Sequence, residues 1–486
     1  MKMTNIVSRS SIIITFLLLT GCVKSFSENS ALSITSEYRS TNSNSNLIGK
    51  VYYVDANKGN DSNNGLTPAF AWKSLQKVQS VELHPGDIVR FKRGTSYSGS
   101  LFVRFSGTTD NYITFTDYGS PQEKAPGFKN QEFAQDNFGN CIRIKGSYVV
   151  IENLYFHNAS AFVEGNYHSD GGWLEWEMGA VYIDKGAEHC IVRKNEMYDC
   201  PAAIRSYGQH ALITENYIHD CNRPLRQWNW GPLGIWLGGD YQEVTHNTII
   251  NLQVNDPDRS HFTNGVGGGA FEIDDGRFPK SHIILSHNFT RDNCGFLETV
   301  FNDVRANPEY KDWQITYNVS DDYQAFVKLR FAKNCSVDNN TIIRRKINAT
   351  ELGVFVFKGN NTINKVRNNI IVTGDDVKIF NLVGKAKPAT FISNNLYYPL
   401  QTLVMGDEGP GLMPVFGNPL FKNINGTKPA DYVIVPNSPA KDKAIDLGYH
   451  ADFIGGKVPF GSSPDIGAFE YNPSYNSIIK TNSVIK

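Results

Sequence analysis

Asparagines that recur at a regular interval are the feature that most constrains how this chain can fold. They stand in an (Ile/Val)-x-x-Asn setting or a close variant, and successive intervals are mostly 21 to 31 residues. The positions are Asn153, Asn195, Asn216, Asn247, Asn288, Asn318, Asn340, Asn369 and Asn395. Such a period, with β-branched residues and no helical spacing, predicts a β-solenoid in which asparagines stack as a hydrogen-bonded ladder. Two intervals near 40 leave room for an extra coil or a long loop.

Six short segments ahead of these asparagines align in one register as strands with alternating sides. The side chains predicted to point inward are Val181, Ile204, Ile235, Phe271, Leu297 and Val327. The outward row reads Tyr182, Arg205, Trp236, Glu272, Glu298 and Lys328. Two positions further on, a second row reads Asp184, Tyr207, Gly238, Asp274, Val300 and Arg330. Because parallel strands stack about 4.8 Å apart, we expect these rows to line one continuous groove, although a slip of one residue would turn a strand over.

Three insertions near the predicted groove carry Trp, Arg and His side chains. They cover residues 223–230, 255–266 and 302–313. Loops beside a groove often form the walls of a substrate site. We therefore expect Arg226 and Trp228 of the first insertion to bind substrate together with Tyr182, Arg205 and Trp236.

The composition suits a turn-rich β protein. The chain has 486 residues, too many for one compact core, with 42 glycines, 12% aromatic and only 20% charged residues. Its net charge of -1 gives no indication of a nucleic-acid partner. We expect a monomer.

The first residues have the pattern of an export signal. Lys2 and Arg9 precede a short apolar run, 12–19, which ends in Leu19-Thr-Gly-Cys22. Leu-x-Gly-Cys resembles the bacterial lipobox, in which the cysteine becomes the lipidated first residue. The resemblance implies an exported protein anchored by lipid at Cys22 in the bacterial cell envelope, in the outer membrane facing the periplasm or the surface. An ordinary signal peptide with an incidental cysteine is the alternative.

Six cysteines follow Cys22, and export would permit disulfides. Cys200 and Cys221 form the best pair, because each lies five residues after a repeated asparagine. Free, buried thiols are the alternative.

The first structured segment combines strands with Asn/Asp/Gly turns and a short helix. It contains Tyr53-Val-Asp55, Gly59-Asn-Asp61, Asn64-Gly65, Trp72-x-x-Leu75 and Pro85-Gly-Asp87. This pattern closely resembles the N-terminal part of bacterial right-handed parallel β-helix proteins that act on polysaccharides, the pectate-lyase-like group of lyases and glycosidases. Residues 418–421, 436–440 and 464–470 resemble the closing segment of the same group. A solenoid needs caps to hide its open edges.

The predicted fold is therefore all-β, a right-handed parallel β-helix with capping segments at both ends. We expect a lipoprotein signal peptide at 1–21 and a disordered tether at 22–50. An N-terminal cap with the first coils would cover 51–140, the β-helix with its groove 141–400, and closing coils with a tail 401–486.

One chemistry that fits the groove is β-elimination at C4 of a uronic acid, by a lyase or by a dehydratase on a terminal residue. Lys328, or the Tyr207 and His210 pair, would be the base. Arg205 or Arg330 would neutralise the substrate carboxylate or donate a proton. We favour this reaction on an acidic polysaccharide or oligosaccharide, because the groove mixes cations with acids.

The acids have two interpretations. The resemblance to the calcium-plus-Lys/Arg sites of β-helix lyases implies that Glu272, Asp274 and Glu298 hold calcium or substrate hydroxyls. Alternatively, carboxyl groups one coil apart have the spacing of a retaining glycosidase, with Asp274 or Glu272 as nucleophile and Glu298 as acid/base. A non-catalytic glycan-binding surface protein is a third hypothesis, and it would need no paired acids.

Overall fold

The computed structural model describes residues 49–134, 137–160, 168–169, 172–173, 177–223, 232–252, 269–273, 280–299, 310–345, 353–359, 363–374, 377–383, 390–406 and 408–474. Within these ranges nearly all regular structure is short strands, and nearly all strand pairs are parallel. The helical elements that lie wholly within the described residues are one α-helix, Leu75–Ser80, and two 3-10 turns, Pro68–Phe70 and Pro429–Tyr432.

Three long parallel sheets form the solenoid. Sheet A contains Val51–Val54, Ile88–Lys92, Ile113–Tyr118, Val149–Glu152, Ile191–Arg193, Leu212–Thr214, Glu243–Thr245, Ile284–Ser286, Gln314–Thr316, Ser336–Asp338, Asn364–Arg367 and Thr390–Ser393. Sheet B contains Ser96–Ser98, Gly127–Asn130, Tyr155–Ala159, Glu196–Tyr198, Tyr217–His219, Thr248–Ile250, Phe289–Arg291, Val319–Asp321, Thr341–Arg344, Ile370–Thr373, Leu396–Pro399 and Val415–Phe416. Sheet C contains Leu101–Val103, Ile142–Ile144, Val181–Ile183, Ala202–Ser206, Leu233–Leu237, Phe271–Ile273, Leu297–Thr299, Val327–Arg330, Phe355–Lys358 and Phe380–Val383.

Smaller groups of paired strands lie outside the three long sheets. Lys280–Ser281, Tyr310–Lys311 and Ala332–Lys333 form a short parallel sheet. Two antiparallel pairs join Phe133–Ala134 to Asn137–Phe138 and His168–Ser169 to Gly172–Trp173.

Each coil passes through sheet C, then sheet A, then sheet B, so neighbouring strands in a sheet are one coil apart. This confirms the predicted right-handed parallel β-helix. Val150 pairs directly with Ile191, and Val244 with Leu285. Each of the two long asparagine intervals therefore completes a single coil with a long connection, not an extra coil.

The main core lies between the three sheets and is built from their inward side chains. The predicted inward residues of sheet C all belong to it and are at most 1% exposed: Val181, Ile204, Ile235, Phe271, Leu297 and Val327. Alternation of side chains along parallel strands thus fixes which face of sheet C is free to carry other chemistry.

The asparagine ladder runs from Asn195 to Asn395. Each Nδ2 donates to the Oδ1 of the next asparagine at 2.9–3.1 Å. The residue before each ladder asparagine has a positive φ, as in Glu215 at 55°. This tight left-handed corner joins sheet A to sheet B and leaves buried amides to satisfy one another.

Asn153 is a correction to the predicted ladder. It occupies the left-handed corner itself, with φ 60°, and its Nδ2 donates to Thr116 Oγ1 at 3.2 Å. Leu154 takes the ladder position in that coil, and its backbone N–H donates to Asn195 Oδ1 at 3.1 Å. Asparagine is favoured at both positions, because its short polar side chain tolerates left-handed backbone.

Both ends of the solenoid pack against additional chain. At the N-terminal end the helix starts after Ser74, whose Oγ accepts from the Lys77 N–H at 3.1 Å, and it buries Leu75 and Val78 in the main core. At the C-terminal end a second apolar cluster joins residues of 432–469 to the outer face of sheet B. Its sheet B members include Phe289, Val319, Ile343 and Ile370.

Cys200 and Cys221 are buried thiols and are not joined as a disulfide. The Cys200 backbone N–H donates to Cys221 Sγ at 3.3 Å. No helix in the described ranges is long and apolar enough to cross a bilayer.

Candidate active site on the outer face of sheet C

The outward row of sheet C is continuous across adjacent strands. Tyr182 pairs with Arg205, Arg205 with Trp236, Trp236 with Glu272, and Glu272 with Glu298. The pairing of Leu297 with Val327 places Lys328 beside Glu298. The strand registers are therefore those that the sequence predicts. We call this row the outer column.

Acids and a base meet at one end of the outer column. Lys328 Nζ donates to Glu298 Oε1 at 2.7 Å, and their side chains are 15% and 25% exposed. Glu272, one strand away, is only 3% exposed. Glu272 and Glu298 are paired at their Cα atoms on adjacent strands, and such strands lie about 4.8 Å apart. Beyond Lys328 the row continues with Val356 and Asn381, so the charged stretch ends there.

Cations alternate with aromatic rings at the other end. The Arg205 guanidinium lies 4.1 Å from the ring centroid of Trp236, a cation–π geometry. Tyr182, Tyr207 and Trp236 form an apolar cluster separate from the main core, with the two tyrosine rings 5.8 Å apart. Burial raises the pKa of Tyr182 well above its usual value, and the nearby Glu177 carboxylate raises it further. These rings form a flat, water-poor section of the column.

Arg143 extends the column by one strand, because it pairs with Tyr182. It donates through Nη2 to Asp184 Oδ1 at 2.6 Å and to Glu177 Oε2 at 3.2 Å, and it lies 4.6 Å from the Tyr182 ring centroid. Burial disfavours its charge, but the hydrogen bond and charge of Asp184 outweigh burial and raise the pKa of Arg143. Extending the predicted register by one coil, to Ile142–Ile144, would have found it.

His210 lies in a different environment from the outer column. Five rings stack along the corner between sheets C and A at 4.5–4.9 Å: Tyr148, His189, His210, Tyr241 and His282. We call them the corner stack. His189 and Tyr241 occupy both faces of His210, whereas Tyr207 packs with Tyr182 and Trp236. Each ring of the Tyr207 and His210 pair thus packs against other rings, and the role of this pair as a base stays a prediction.

The remaining predicted site residues are placed as follows. Arg330 shares a strand with Lys328 and lies 4.7 Å from the Phe331 ring centroid. Four further residues lie outside the described ranges: Cys22, Arg226, Trp228 and Asp274.

The predicted calcium site is only partly described, because Asp274 lies outside the described ranges. Within the described ranges no group of three or more His, Cys, Asp or Glu residues could hold a metal ion. One oxygen of Glu298 already accepts from Lys328. Ca²⁺ takes six to eight oxygen ligands, more than the four carboxylate oxygens of Glu272 and Glu298, so calcium binding here would need further ligands such as Asp274 and stays a prediction.

Comparisons with known proteins agree on the fold. No protein-family model matches the chain. A stretch of 137 residues is 32% identical to a lacto-N-biosidase of Bifidobacterium longum subsp. longum; this is 24% of the chain and 9% of that much longer protein. Among solved structures, XylC in complex with xylose matches 87% of the chain and 98% of its own, with TM-score 0.53 and 11% identity. A rhamnogalacturonan lyase matches 71% and 87%, with TM-score 0.50 and 14% identity.

Proposed function

We propose that the protein is a carbohydrate-active enzyme that hydrolyses a glycosidic bond at Glu272 and Glu298. The observation that carries this proposal is the direct pairing of the two glutamates on adjacent strands. Retaining glycosidases place their two carboxyl groups roughly 5–5.5 Å apart, close to the spacing of paired parallel strands. The names of the similar proteins, a lacto-N-biosidase and a protein solved with xylose, support the substrate class.

Exposure suggests how the roles divide. The acid/base residue must meet the leaving group and then a water molecule, so it needs access to solvent. Glu298 is 25% exposed and receives a hydrogen bond from the Lys328 ammonium, whereas Glu272 is almost fully buried. We assign Glu298 as acid/base and Glu272 as nucleophile. Asp274, the other nucleophile candidate from the sequence, is retained as a test.

The rest of the outer column would bind the glycan. Trp236 and Tyr182 would supply ring faces and Arg205 a cation for a carboxylate or sulfate of an acidic saccharide. These side chains are at most 3% exposed, so binding through them requires that they become accessible. A saccharide bound along the column would run parallel to the solenoid axis. Tyr182 is three strands from Glu272, about 14 Å at the usual strand spacing.

Elimination at a uronic acid is the second candidate, favoured by the presence of Lys328 and Arg330 beside the acids. It requires a base that can accept a proton. Lys328 Nζ donates to Glu298 Oε1 at 2.7 Å, so this group is engaged with a carboxylate of the site. Tyr207 is 4% exposed within a ring cluster. The geometry thus favours hydrolysis.

Product chemistry separates these reactions. The protein would be incubated with uronic-acid and sulfated oligosaccharides, and new reducing ends and ultraviolet absorbance of unsaturated product would be followed together. Hydrolysis gives reducing ends without absorbance, whereas elimination gives both. Binding without either product would support the non-catalytic hypothesis and contradict the proposal.

Variants then assign the roles. Glu298→Gln should lose activity on oligosaccharides. On an aryl glycoside whose leaving group needs no protonation, azide should restore turnover by attacking the glycosyl-enzyme in place of water and releasing the Glu272 carboxylate, with retained configuration. Glu272→Gln forms no glycosyl-enzyme and should not give this product. Loss in Asp274→Asn with an active Glu272→Gln would transfer the nucleophile role to Asp274. Glu215→Gln, whose side chain is 52% exposed on another sheet corner, is the matched control.

A further inference from the structure

A charged cavity lies between sheet B and the C-terminal segment, away from the outer column. Its volume is about 240 Å³. The side chains that matter for its chemistry are Arg291, Asp292, Asp321, Tyr323, Arg345 and Asn425. Arg291 and Asp321 end strands of sheet B, and Asn425 comes from the C-terminal segment. The cavity therefore exists only because that segment packs onto the solenoid.

Charge in the cavity is balanced. Arg291 pairs with Asp292 at 2.9 Å, and Arg345 with Asp321 at 3.2 Å. Asp322, at the cavity wall, faces the buried Arg344 at 3.9 Å. Three guanidinium groups thus oppose three carboxylates. A charged ligand would have to separate existing ion pairs, whereas a neutral polar ligand would not.

The charged side chains of the cavity can still form hydrogen bonds with a ligand. The Nε of Arg291 is buried and has no hydrogen-bond partner among the described residues. A buried donor without a partner costs free energy, so a rotation of the 29% exposed Arg291 side chain that brings this N–H to a ligand hydroxyl would be favourable. Each carboxylate accepts at roughly four sites, so Asp321, which accepts from Arg345 and from the Tyr432 hydroxyl, can also accept from a ligand hydroxyl.

The size and shape of the cavity restrict further which ligands it can hold. The cavity is smaller than the range of about 300–1,000 Å³ that is typical for drug-sized ligands, and it suits a single sugar ring. Tyr323 is 38% exposed at the cavity and offers a flat apolar face, while its hydroxyl donates to Asp292 at 3.1 Å. Guanidinium, carboxylate and amide groups around one ring face match the paired donors and acceptors of a polyol.

We propose that this cavity is a second saccharide-binding site, which takes one neutral monosaccharide unit and is independent of the reaction at Glu272 and Glu298. The site would hold a glycan by a residue that is not being cleaved. Because it lies on sheet B, its occupant would not compete with a substrate on sheet C.

The test is saturation-transfer NMR on the intact protein with glucose, galactose, mannose, xylose, fucose and N-acetylglucosamine as separate probes. We expect at least one sugar to give a signal with a millimolar Kd, as befits a ligand of about a dozen heavy atoms. Arg291→Gln and Tyr323→Ala should each weaken that signal at least several-fold. Tyr198→Ala, which removes a 42% exposed tyrosine elsewhere on sheet B, should leave it unchanged.

Thermal unfolding of each variant shows that the fold is retained, and Asn425→Ala provides a second test from the opposite wall. The proposal is overturned if the signal survives Arg291→Gln and Tyr323→Ala, or if Glu272→Gln and Glu298→Gln abolish it instead. Binding of calcium or phosphate at this cavity in place of every sugar would also overturn it. Free monosaccharides contain no glycosidic bond, so these outcomes do not depend on whether the protein is a hydrolase.

Discussion

Sheet B and sheet C each turn one row of side chains away from the solenoid core, and the two rows are treated differently. On sheet B one such row contains Phe289, Val319 and Ile370, which the C-terminal segment covers in an apolar cluster. On sheet C the corresponding row contains Glu272, Glu298 and Lys328. Both sheets have the same strand spacing, so the backbone does not determine the difference.

The comparison distinguishes residues whose burial stabilises the fold from residues that the fold positions for chemistry. Apolar burial on sheet B contributes to stability directly. Two carboxylates on neighbouring strands repel each other and contribute nothing that an apolar pair would not supply better. Such a departure from the best folding choice is expected where chemistry requires it.

The largest expected effect is loss of activity without loss of stability at Glu272. Replacing Glu272 with Gln removes the proposed nucleophile and should lower kcat by about 10⁴-fold. This is the upper end of the rate effect that a positioned acid–base group contributes. The free energy of unfolding should stay the same or rise, because a like-charge contact disappears. Steady-state kinetics and urea unfolding measure the two quantities. An active variant, or one that is strongly destabilised, would break the comparison.

The reverse outcome is expected at Ile343 on sheet B. Ile343 is fully buried against the C-terminal segment, so Ile343→Ala should reduce the free energy of unfolding by about 2–5 kcal/mol. The kcat of the folded fraction should be unchanged. Ile363→Ala, at a 69% exposed position, is the control and should cost less than about 0.5 kcal/mol. Similar losses in both variants would contradict the assignment.

The pH dependence of stability offers a smaller test at the corner that joins sheets A and B. Burial, together with the charge of the stacked His246, lowers the pKa of His287 to about 3. Its neutral form is therefore favoured in the folded state. This stability is present above the unfolded pKa of about 6.5 and is lost as pH falls toward 3.

Replacing His287 with Asn should flatten the fall in Tm between pH 7 and pH 4, as measured by calorimetry. The ring also contacts Tyr317 and lies near the backbone of residues 451–452, so the variant lowers Tm at pH 7 as well. His84→Asn, whose side chain is 65% exposed, should keep the wild-type slope. Parallel slopes in all three proteins would refute the expectation.

The smallest effect is expected for a single hydroxyl at the edge of the covered face. Tyr432 Oη is 2.9 Å from both Asp321 Oδ2 and the Gly426 carbonyl. Tyr432→Phe keeps the ring in the apolar cluster and should cost about 1–2 kcal/mol. Chemical denaturation measures it, and Tyr241→Phe at an exposed ring is the control. A loss as large as that of Ile343→Ala would mean that polar contacts hold this face.

Much of the fold could be predicted from residue types alone. The repeat of asparagines indicated the ladder, and alternation in the six segments gave the registers of sheet C from Val181 to Val327. These predictions succeed because a parallel solenoid gives each strand the same neighbours and the same inward face. Asn153 was misplaced because corner and ladder positions both favour asparagine, and spacing alone leaves an error of one residue.

The site was less accessible to sequence reasoning. Pattern places Lys328 beside Glu298, but only coordinates show that the ammonium donates to the carboxylate. His210 was assigned to chemistry, although its ring belongs to the corner stack. A signal did exist, because each member of that stack stands six residues before the ladder position of its coil: Tyr148, His189, His210, Tyr241 and His282.

That constant count of six has a consequence for how this molecule can change. Successive ladder positions are separated by 21 to 41 residues, yet the stretch from the corner stack to the ladder never varies from Asn195 to Asn288. All differences in coil length therefore fall in the connections that enter and leave sheet C. Insertions in those connections change the surroundings of Glu272 and Glu298 without shifting any position of the asparagine ladder. New substrate preferences can therefore arise while the solenoid itself stays the same.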